Sequence, residues 1–583
     1  MDHERFQLLV EQNSNGVSQL LVFTPYAALQ SWGAVDGVAF KDQLKLEFKF
    51  QWNKERRCWV GDLRADVLTF LKSTGIRWTT KAGSLPELKV TELIAGSNSP
   101  QSPGPFPDLT ALQSANGWKL RPYQIHGAEF IRARRSSMLL DDMGSGKTAQ
   151  ALCALPLKAR ALIIVPASLR SVWIREATLW RPDLTVKMGD LKVPEVSIPE
   201  GTILICSNAS LHDKSRWKGR KYSKLKPAPG LFLVADECKA FKNPQSARTK
   251  YLRHWVNEVL NAGGQVCGMD GTPITNTPFD LWVQQSVFGI ASLIWRDLDT
   301  FVRLNGGRVV RSYTPKGLPK KEYVWDASPD QDLINGLMST ACLRRNKADL
   351  LPDLPPKSRQ RFPINSFKIR DELNHAIESE AAYLFPKDFE AQENLIEALR
   401  KCVDFRIIPP GVLSRLRKLL AVAKVPTVAD ESSAWLTTQE SKGIAPKLVI
   451  MTSSLAAAEL LHQKLSVWGH KVALFTGAQS QSEKESAVES FQTGELECLI
   501  VTIAAGGQGL TLTAADTMFF LDWDWSFAQN LQAEDRIHRS GLTSDKCLYV
   551  DFLIEHWLDQ NVAEKCGIKE RYHQTIEELG ETL

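Results

Sequence analysis

The sequence lacks the cysteine spacing that organises zinc modules and small disulfide-bonded domains. Ten cysteines are scattered over 583 residues, and no two of them form a C-x-x-C pair. Clustered cysteines are what a zinc ribbon or a secreted disulfide scaffold requires. We therefore expect reduced cysteines that are mostly buried.

Long apolar runs are also missing. No stretch approaches the roughly 20 apolar residues that span a bilayer. The first residues, MDHERFQLLV, are charged, whereas a secretory signal has a basic region followed by an apolar core. We expect no membrane partner, and a location in the cytoplasm of a bacterial or viral host cell or in a nucleus.

A strong charge of one sign is absent as well. The formal net charge of +5, with 23% charged and 43% hydrophobic residues, is that of an ordinary globular protein and does not by itself indicate a nucleic-acid partner. Residues 214–226, KSRWKGRKYSKLK, are the exception, with seven basic residues and no acidic one. From composition alone, this segment fits a solvated loop and a phosphate-binding surface equally well.

The length of the chain indicates several domains, because single cores stop growing beyond about 250–300 residues. A Pro-, Ser- and Gly-rich stretch at 95–109 predicts a linker. Before it, LKLEFKFQW, RCWVGDL and RADVLTFLKSTG predict a strand, its hairpin partner and a helix. The predicted divisions are an N-terminal α+β module at 1–94, a linker at 95–117, a first lobe at 118–300, helical protrusions and a linker at 301–440, and a second lobe at 441–583.

Short apolar runs alternate with helical segments in two blocks of the chain. The first block contains ALIIVP, TILICS, LFLVAD and GQVCGMDG, and the second contains KLVIMT, KVALFTG, ECLIVT, TMFFLD and CLYVDFL. This alternation predicts an α/β fold with two parallel-sheet lobes. Between 273 and 447 the strand pattern fades, and helical spacing predicts a mostly helical insertion.

One predicted strand runs into two carboxylates. In LFLVADECKAFKN, residues 231–243, five mostly apolar residues precede Asp236 and Glu237. Open parallel sheets bind ligands at such carboxyl ends. The cluster is compatible with a metal site, a reactive thiol at Cys238 or the acidic end of a nucleotide-binding strand. A nucleophilic thiol needs a base nearby, and Lys239 alone is weak support, so we expect Cys238 to be a packing residue.

An upstream stretch, MLLDDMGSGKTAQALCAL at 138–155, has the order of strand, glycine loop and helix. Its glycines let backbone N–H groups face a polyphosphate, Lys147 reaches the terminal phosphates, and Thr148 offers a hydroxyl to Mg²⁺. The full G-x-x-x-x-G-K-T pattern fails only at Asp141. The predicted ATP-binding residues of the loop are Gly144, Ser145, Gly146, Lys147 and Thr148.

With a phosphate loop in the chain, the acidic pair acquires a role. Asp236 is predicted to hold Mg²⁺, and Glu237 is predicted to orient the water that attacks the γ-phosphate.

These motifs resemble those of helicase superfamily two and, more narrowly, the Swi/Snf-type double-stranded DNA translocases, over residues 120–553. LRPYQIHGAEFI is similar to the family's adenine-contacting motif, which implies that Gln124 binds the base. Asp141 is typical of this family's phosphate loop. LRRNKADLLPDLPPK, at 343–357, is similar to a segment peculiar to Swi/Snf-type proteins.

The same resemblance implies further roles in the first lobe. GMDGTPITNTPFDLW resembles the motif that couples hydrolysis to lobe movement through Gly271, Thr272 and Pro273. ALIIVPASLRSVWIREATLW resembles a motif near the DNA backbone. The residues that we expect to contact DNA are Pro166, Ser168, Thr502 and, in the basic segment, Lys218, Arg220 and Lys221.

In the second lobe, residues 500–541 match the family's last two motifs almost continuously, with glycines at 506, 507 and 509. Gln532, Arg536 and Arg539 fit its Q-x-x-x-R-x-x-R pattern. This spacing predicts that all three side chains lie on one face of a helix. Two guanidiniums on that face could stabilise charge on the γ-phosphate.

The sequence departs from the family at three places. Lys239 stands where histidine is usual, Ser526-Phe527 where Asn-Pro is usual, and Leu542 where glutamine is frequent. We expect none of them to affect the phosphate chemistry. Lys239 is expected to alter the link between hydrolysis and DNA binding.

The N-terminal module offers a weaker pattern. KFQWNKERRCWVGDL and the helix after it resemble the HARP-type substrate-recognition module of annealing helicases, and an unrelated small adaptor is the alternative.

The resemblance implies a monomer with two RecA-like lobes that uses ATP and Mg²⁺ to move along double-stranded or forked DNA. A strand-separating or fork-rewinding helicase is one alternative. A nucleotide-dependent DNA-binding scaffold with vestigial hydrolysis is another.

Overall fold

The structure is a computed structural model, and it describes residues 7–12, 18–23, 44–45, 49–54, 58–62, 67, 79–80, 98–100, 105–189, 195–211, 224–274, 277–295, 297–313, 319–325, 331–401, 410–506, 510–524 and 526–560. The chain forms two compact units, and its main division falls between Asn346 and Lys347. No helix among these residues is long and apolar enough to cross a membrane.

The N-terminal region contributes a small mixed sheet. Its strands are β1 (Gln7–Gln12), β2 (Ser18–Phe23), β3 (Gln51–Asn53), β4 (Cys58–Asp62) and β5 (Thr79–Thr80), in the order β3-β4-β2-β1-β5. Strands β3 and β4 pair antiparallel, which confirms the expected hairpin over a shorter length. Apart from Val67, the predicted helix RADVLTFLKSTG lies outside the described residues.

A parallel sheet of seven strands forms the centre of the first unit. Its order is β16-β6-β13-β12-β7-β10-β8. Strands β9 and β11 form a separate two-stranded parallel sheet. The strands of this region are β6 (Ser136–Leu139), β7 (Arg160–Val165), β8 (Thr185–Met188), β9 (Glu195–Val196), β10 (Thr202–Ser207), β11 (Lys224–Leu225), β12 (Leu231–Asp236), β13 (Gln265–Met269), a hairpin of β14 (Gly307–Tyr313) and β15 (Pro319–Trp325), and β16 (Cys342–Leu343).

Helices connect these strands. They are α1 (Pro122–Arg132), α2 (Lys147–Ala154), α3 (Arg170–Trp180), α4 (Ala247–Asn261), α5 (Phe279–Val287), α6 (Ala291–Ile294), α7 (Leu298–Leu304) and α8 (Gln331–Met338), with short 3₁₀ turns at Ala167–Leu169, Asn208–Leu211 and Cys238–Phe241.

The sheet is buried on both faces, which is why its strands are continuous apolar runs. Alternate residues of β12 enter two different cores: Leu231 and Leu233 pack on one face, and Phe232 and Val234 pack on the other. The strands predicted in the first block of the sequence are therefore confirmed.

The second unit contains a parallel sheet of six strands in the order β17-β22-β21-β18-β20-β19. Leu448 and Ile450 pack on one of its faces, and Val449 and Met451 pack on the other. Its strands are β17 (Lys357–Ile364), β18 (Leu448–Thr452), β19 (Val472–Phe475), β20 (Cys498–Thr502), β21 (Thr517–Phe520) and β22 (Cys547–Ile554). Its helices are α9 (Lys347–Leu350), α10 (Phe367–Leu384), α11 (Phe389–Lys401), α12 (Pro410–Ser441), α13 (Leu455–Val467), α14 (Gln481–Thr493), α15 (Ile503–Gly506) and α16 (Phe527–Glu534).

The region 301–440 differs from the mostly helical insertion that the sequence predicts. It holds the hairpin of β14 and β15, and it supplies β16 to the first sheet and β17 to the second. Strand β16 has only two residues, and β17 (KSRQRFPI) is a largely exposed edge strand without an apolar run. A search for apolar runs therefore passes over them. The long helices α10, α11 and α12 agree with the helical part of the prediction.

Candidate functional site

Three predicted motifs lie at the carboxyl ends of three neighbouring strands. The phosphate loop follows β6, the coupling motif follows β13, and the acidic pair ends β12, in a sheet where β13 lies between the other two. Because the strands are parallel, all three motifs share one edge of the sheet.

The loop after β6 has the backbone of a phosphate loop. Gly144 and Gly146 have φ angles of +83° and +72°, a region that favours glycine, and α2 begins directly afterwards at Lys147. The Nζ atom of Lys147 donates to the backbone oxygens of Asp141 at 2.6 Å and Asp142 at 3.0 Å. The Lys147 side chain thus folds back onto the backbone of its own loop. Ser145 is buried, and Thr148 lies in the first turn of α2.

Gln124 lies against this loop. It stands in the first turn of α1, where its Oε1 accepts a hydrogen bond from the backbone N–H of Arg121 at 2.9 Å. A Cβ atom built on Gly146 would lie 2.3 Å from the Gln124 Nε2. Glycine at 146 therefore serves both the backbone conformation and the close approach of the predicted adenine-binding side chain.

Asp236 is a buried carboxylate held by two donors. The indole Nε1 of Trp173 donates to its Oδ2 at 2.9 Å, and the backbone N–H of Glu237 donates to its Oδ1 at 2.9 Å. Burial, together with the charge of Glu237, raises the pKa of Asp236 to about 7. A nearby cation favours the ionised form of such a group, and the Lys147 ammonium already acts in that direction.

These residues fit Mg²⁺. The carboxylate of Asp236 and the hydroxyl of Thr148 are hard oxygen donors of the kind that Mg²⁺ prefers. Trp173 was not found by motif reasoning, although it lies in a predicted motif, because its role depends on a contact between α3 and β12.

Glu237 has a left-handed backbone, with φ of +51°, which is uncommon outside glycine. Its Oε2 lies 2.8 Å from the Nζ of Lys239, and the same ammonium donates to the Thr272 hydroxyl at 3.2 Å. The backbone N–H of Lys239 donates to the Asp270 Oδ2 at 2.7 Å.

Lys239 thus joins the predicted base to the predicted coupling motif. The expectation that this departure leaves the phosphate chemistry untouched is not supported, because the lysine forms an ion pair with Glu237 itself. Asp270, which sequence reasoning did not single out, fixes both motifs: its Oδ1 also accepts from the backbone N–H of Thr272 at 2.8 Å. Burial raises the pKa of Asp270, and Lys239 opposes that shift.

A second link between the acidic pair and the coupling motif runs through Gln284 of α5. The Cys238 thiol donates to its Oε1 at 3.1 Å, and its Nε2 donates to the backbone oxygen of Pro273 at 2.6 Å. Cys238 has no exposed surface and packs in the core, as expected of a packing residue, and burial raises the pKa of its thiol well above its ordinary value. Gly271, Thr272 and Pro273 are buried.

Only some of the predicted DNA-contacting residues lie in the described part of the chain. Pro166 and Ser168 follow β7 at the same edge of the first sheet, with Ser168 exposed, and Thr502 ends β20 in the second unit. Lys218, Arg220 and Lys221 lie outside the described residues.

The arginine-bearing segment corrects one prediction. Helix α16 ends at Glu534, so Gln532 is helical, whereas Arg536 and Arg539 lie in the turn beyond it. The three residues therefore do not share a helix face. Instead, both arginines donate to the backbone oxygen of Leu510, at 3.3 Å and 3.2 Å, just after the glycine segment. Of the glycines in that segment, 507 and 509 lie outside the described residues.

Comparisons with known proteins match two segments of the chain to family models. Residues 123–403 match the model of the SNF2-related domain, and residues 433–541 match the helicase conserved C-terminal domain. The chain therefore carries an SNF2-related domain and a helicase conserved C-terminal domain.

Curated relatives are identical to this chain at about a quarter of the aligned positions. It is 26% identical over 439 residues to the DNA annealing helicase and endonuclease ZRANB3 of Homo sapiens, covering 73% of this chain and 37% of that protein. It is 25% identical over 451 residues to the SWI/SNF-related matrix-associated actin-dependent regulator of chromatin subfamily A-like protein 1 of Xenopus tropicalis, covering 76% and 43%. The chain thus spans less than half the length of these relatives.

A solved structure titled Sulfolobus solfataricus SWI2/SNF2 ATPase core in complex with dsDNA is 17% identical, with a TM-score of 0.33, and covers 82% of this chain and 99% of its own.

Proposed function

We propose that this SNF2-related chain is a DNA-dependent ATPase that couples ATP hydrolysis to movement along double-stranded DNA. The observation that carries the proposal is the meeting of the phosphate loop, the acidic pair and the coupling motif at the ends of β6, β12 and β13. A nucleotide-binding edge in which the predicted base is tied to a second motif by Lys239 suits an enzyme that transmits hydrolysis to movement.

In the proposed ATP site, the loop from Gly144 to Gly146 presents backbone N–H groups to the phosphates, and Lys147 adds its charge. Thr148 and Asp236 would hold Mg²⁺, which supplies charge neutralisation on the phosphates when bound. Glu237 orients the attacking water, and Gln124 recognises the base.

The proposal also gives roles to three polar residues of the second unit. Arg536 and Arg539 stabilise charge on the γ-phosphate, and Gln532 supports them from α16. The anchoring of both arginines on Leu510 holds their side chains in a defined direction.

DNA is bound through its phosphates in this proposal. Pro166, Ser168 and Thr502 lie at the carboxyl ends of β7 and β20, and Lys218, Arg220 and Lys221 add basic charge. Contacts to phosphate carry no base identity, so movement should be independent of sequence.

The test is the rate of ATP hydrolysis with single-stranded, duplex and forked DNA and with RNA. Duplex DNA should stimulate the wild type most. Lys147→Ala should abolish turnover and nucleotide binding, whereas Glu237→Gln should abolish turnover and leave binding intact. Lys187→Ala, on an exposed residue of β8, is the matched control and should behave as the wild type. Full activity in Glu237→Gln contradicts the assignment of the base.

Fork rewinding is the second candidate, and one observation favours it: the human relative's name describes an annealing helicase. Strand-displacement and annealing assays on forked DNA separate the two. Stimulation by duplex without net unwinding or annealing supports simple translocation. Negligible DNA-stimulated turnover in the wild type supports a scaffold with vestigial hydrolysis.

A further inference from the structure

The segment LRRNKADLLPDLPPK, which the proposed function leaves without a role, begins at the edge of the first sheet. Strand β16 pairs with β6, and the pairing continues into the phosphate loop, where the backbone N–H of Asp142 donates to the Arg345 oxygen at 3.2 Å. The Arg344 side chain donates to the Leu140 oxygen at 3.2 Å and to the Asp142 Oδ1 at 3.3 Å.

Arg345 binds the buried carboxylate of Asp141, at the start of the phosphate loop. Its Nε and Nη2 atoms form a fork on the carboxylate of Asp141, which has no exposed surface. Its Nη1 donates to the Tyr123 oxygen at 2.7 Å, next to the predicted adenine-binding residue, and its Nη2 donates to the Gln150 Oε1 at 3.0 Å. One guanidinium thus joins the loop, α1 and α2.

Two residues later, Lys347 contacts the turn that follows α16 in the second unit. This turn, residues 535–540, carries Arg536 and Arg539, and we call it the arginine turn. The Nζ of Lys347 donates to the Asp535 Oδ1 at 2.9 Å and to the backbone oxygen of His538. These two acceptors bracket Arg536, and Lys347 is 8% exposed. A single ammonium therefore fixes both ends of the turn that carries the arginine.

The rest of the segment, together with Arg359 just after it, makes further contacts with the arginine turn and with Glu534. The Nε2 of His538 lies 2.8 Å from the Pro355 oxygen, Lys357 binds Glu534 at 3.3 Å and Asp535 at 3.4 Å, and Arg359 binds Glu534. Lys357 and Lys347 hold the pKa of Asp535 at about 2 despite its burial.

We infer that Arg345 and Lys347, on either side of Asn346, are positioning residues: Arg345 sets the phosphate loop through Asp141, and Lys347 sets the arginine turn through Asp535 and His538. The inference rests on the proposed function for its catalytic consequence. The main division of the chain falls between these two residues, and each of the two side chains forms these bonds within its own unit. Under the proposed function we expect Arg345 to affect mainly ATP binding, because it is bonded to the loop, and Lys347 to affect mainly turnover, because it is bonded to the turn that carries Arg536.

The experiment measures binding and turnover separately. Binding uses a fluorescent, non-hydrolysable ATP analogue with Mg²⁺, and turnover uses duplex DNA at saturating ATP. In Arg345→Met the Kd of the analogue should rise by about tenfold, the worth of one hydrogen bond to a charged group. Arg345→Lys should recover only part of this, because an ammonium cannot form the fork.

Lys347→Met should give the opposite pattern. The Kd should stay within about twofold of the wild type, while kcat should fall by about 100-fold, as small displacements of catalytic groups do. Lys347→Arg keeps a positive charge and more than one donor, and it should restore most of the loss.

Two matched controls remove buried or half-buried positive charges elsewhere in each unit. Arg135→Met loses a bond to the Leu260 oxygen at 2.7 Å, and Lys424→Met loses a buried ion pair with Asp559 at 2.6 Å. Both should lower the melting temperature without the crossed pattern in Kd and kcat. The inference would be overturned if Arg345→Met and Lys347→Met changed Kd and kcat in the same way. It would also be overturned if neither variant changed Kd or kcat.

Amide hydrogen exchange tests the positioning without ATP. Exchange should quicken at residues 141–148 in Arg345→Met and at 535–540 in Lys347→Met. A wild type that neither binds nor hydrolyses ATP would contradict the proposed function alone. Unchanged hydrogen exchange in both variants would contradict the positioning role, whatever the activity.

Discussion

Replacing Lys239 with methionine tests whether its ion pair positions Glu237 for catalysis. The substitution removes the ammonium that lies 2.8 Å from Glu237 and 3.2 Å from Thr272. It leaves the backbone bond from residue 239 to Asp270 in place, because that bond belongs to the main chain. The variant therefore removes only side-chain contacts, which include a longer ion pair of the ammonium with Asp270 at 3.8 Å.

The magnitude follows from the geometry. Both side chains of the pair are 17% exposed. At 2.8 Å and an effective dielectric constant of about 20, the gross attraction is about 6 kcal/mol, and desolvation offsets most of it. We expect a net loss of about 2 kcal/mol in transition-state stabilisation, which is about a 30-fold fall in turnover. Lys239→Gln should fall between, because an amide can still donate to Thr272.

The assay is DNA-stimulated ATP hydrolysis, with nucleotide affinity measured alongside. Affinity should change by less than about threefold, since Lys147 and the loop are untouched. Lys242→Met is the control: this lysine lies just after the same 3₁₀ turn and pairs with Asp280 at 3.8 Å, and turnover should be unchanged. Turnover of Lys239→Met within twofold of the wild type, at an unchanged melting temperature, would refute the positioning of Glu237 by this lysine.

Two further predictions concern stability. Gly127→Ala should destabilise the protein by about 1–3 kcal/mol, although alanine favours helices, because the new Cβ would lie 1.7 Å from the Gln150 Oε1. Thermal melting measures this loss. The control is Gly336→Ala in α8, which has open space around it and should be neutral or stabilising. Asp535 has a pKa of about 2 when folded, below its ordinary value of 3.8, so its contribution of about 2 kcal/mol is present above pH 4 and is lost as the pH falls toward 2. The melting-temperature gap between the wild type and Asp535→Asn should therefore close in acid, and a gap that stays constant down to pH 2 would contradict the assignment.

The parallel sheets could be predicted because buried strands are continuous apolar runs. The phosphate loop and the acidic pair could be predicted because their chemistry depends on neighbouring residues in sequence, such as Gly146 with Lys147 and Asp236 with Glu237. Local spacing carries this information directly.

Contacts between distant segments could not be predicted in this way. Arg345 reaches Asp141, and Trp173 reaches Asp236, through the arrangement of strands and helices rather than through sequence spacing. The helix expected to carry Arg536 and Arg539 ends early, because Lys347 and Lys357 bind Asp535 at that point and the chain turns there. A helical spacing in sequence does not record such competing contacts.

The edge positions of β16 and β17 bear on how the chain folds during synthesis. Strand β16 closes the edge of the first sheet next to β6, so a nascent chain ending at residue 300 would leave the strand that leads into the phosphate loop with an unpaired edge. The first sheet is therefore complete only after Leu343 has emerged from the ribosome. Strand β17 pairs with β22, so it must wait for the last described strand of the second unit. The contacts of the 343–357 segment with the phosphate loop and with the arginine turn thus form late, and both should acquire their final order only after most of the chain has been made.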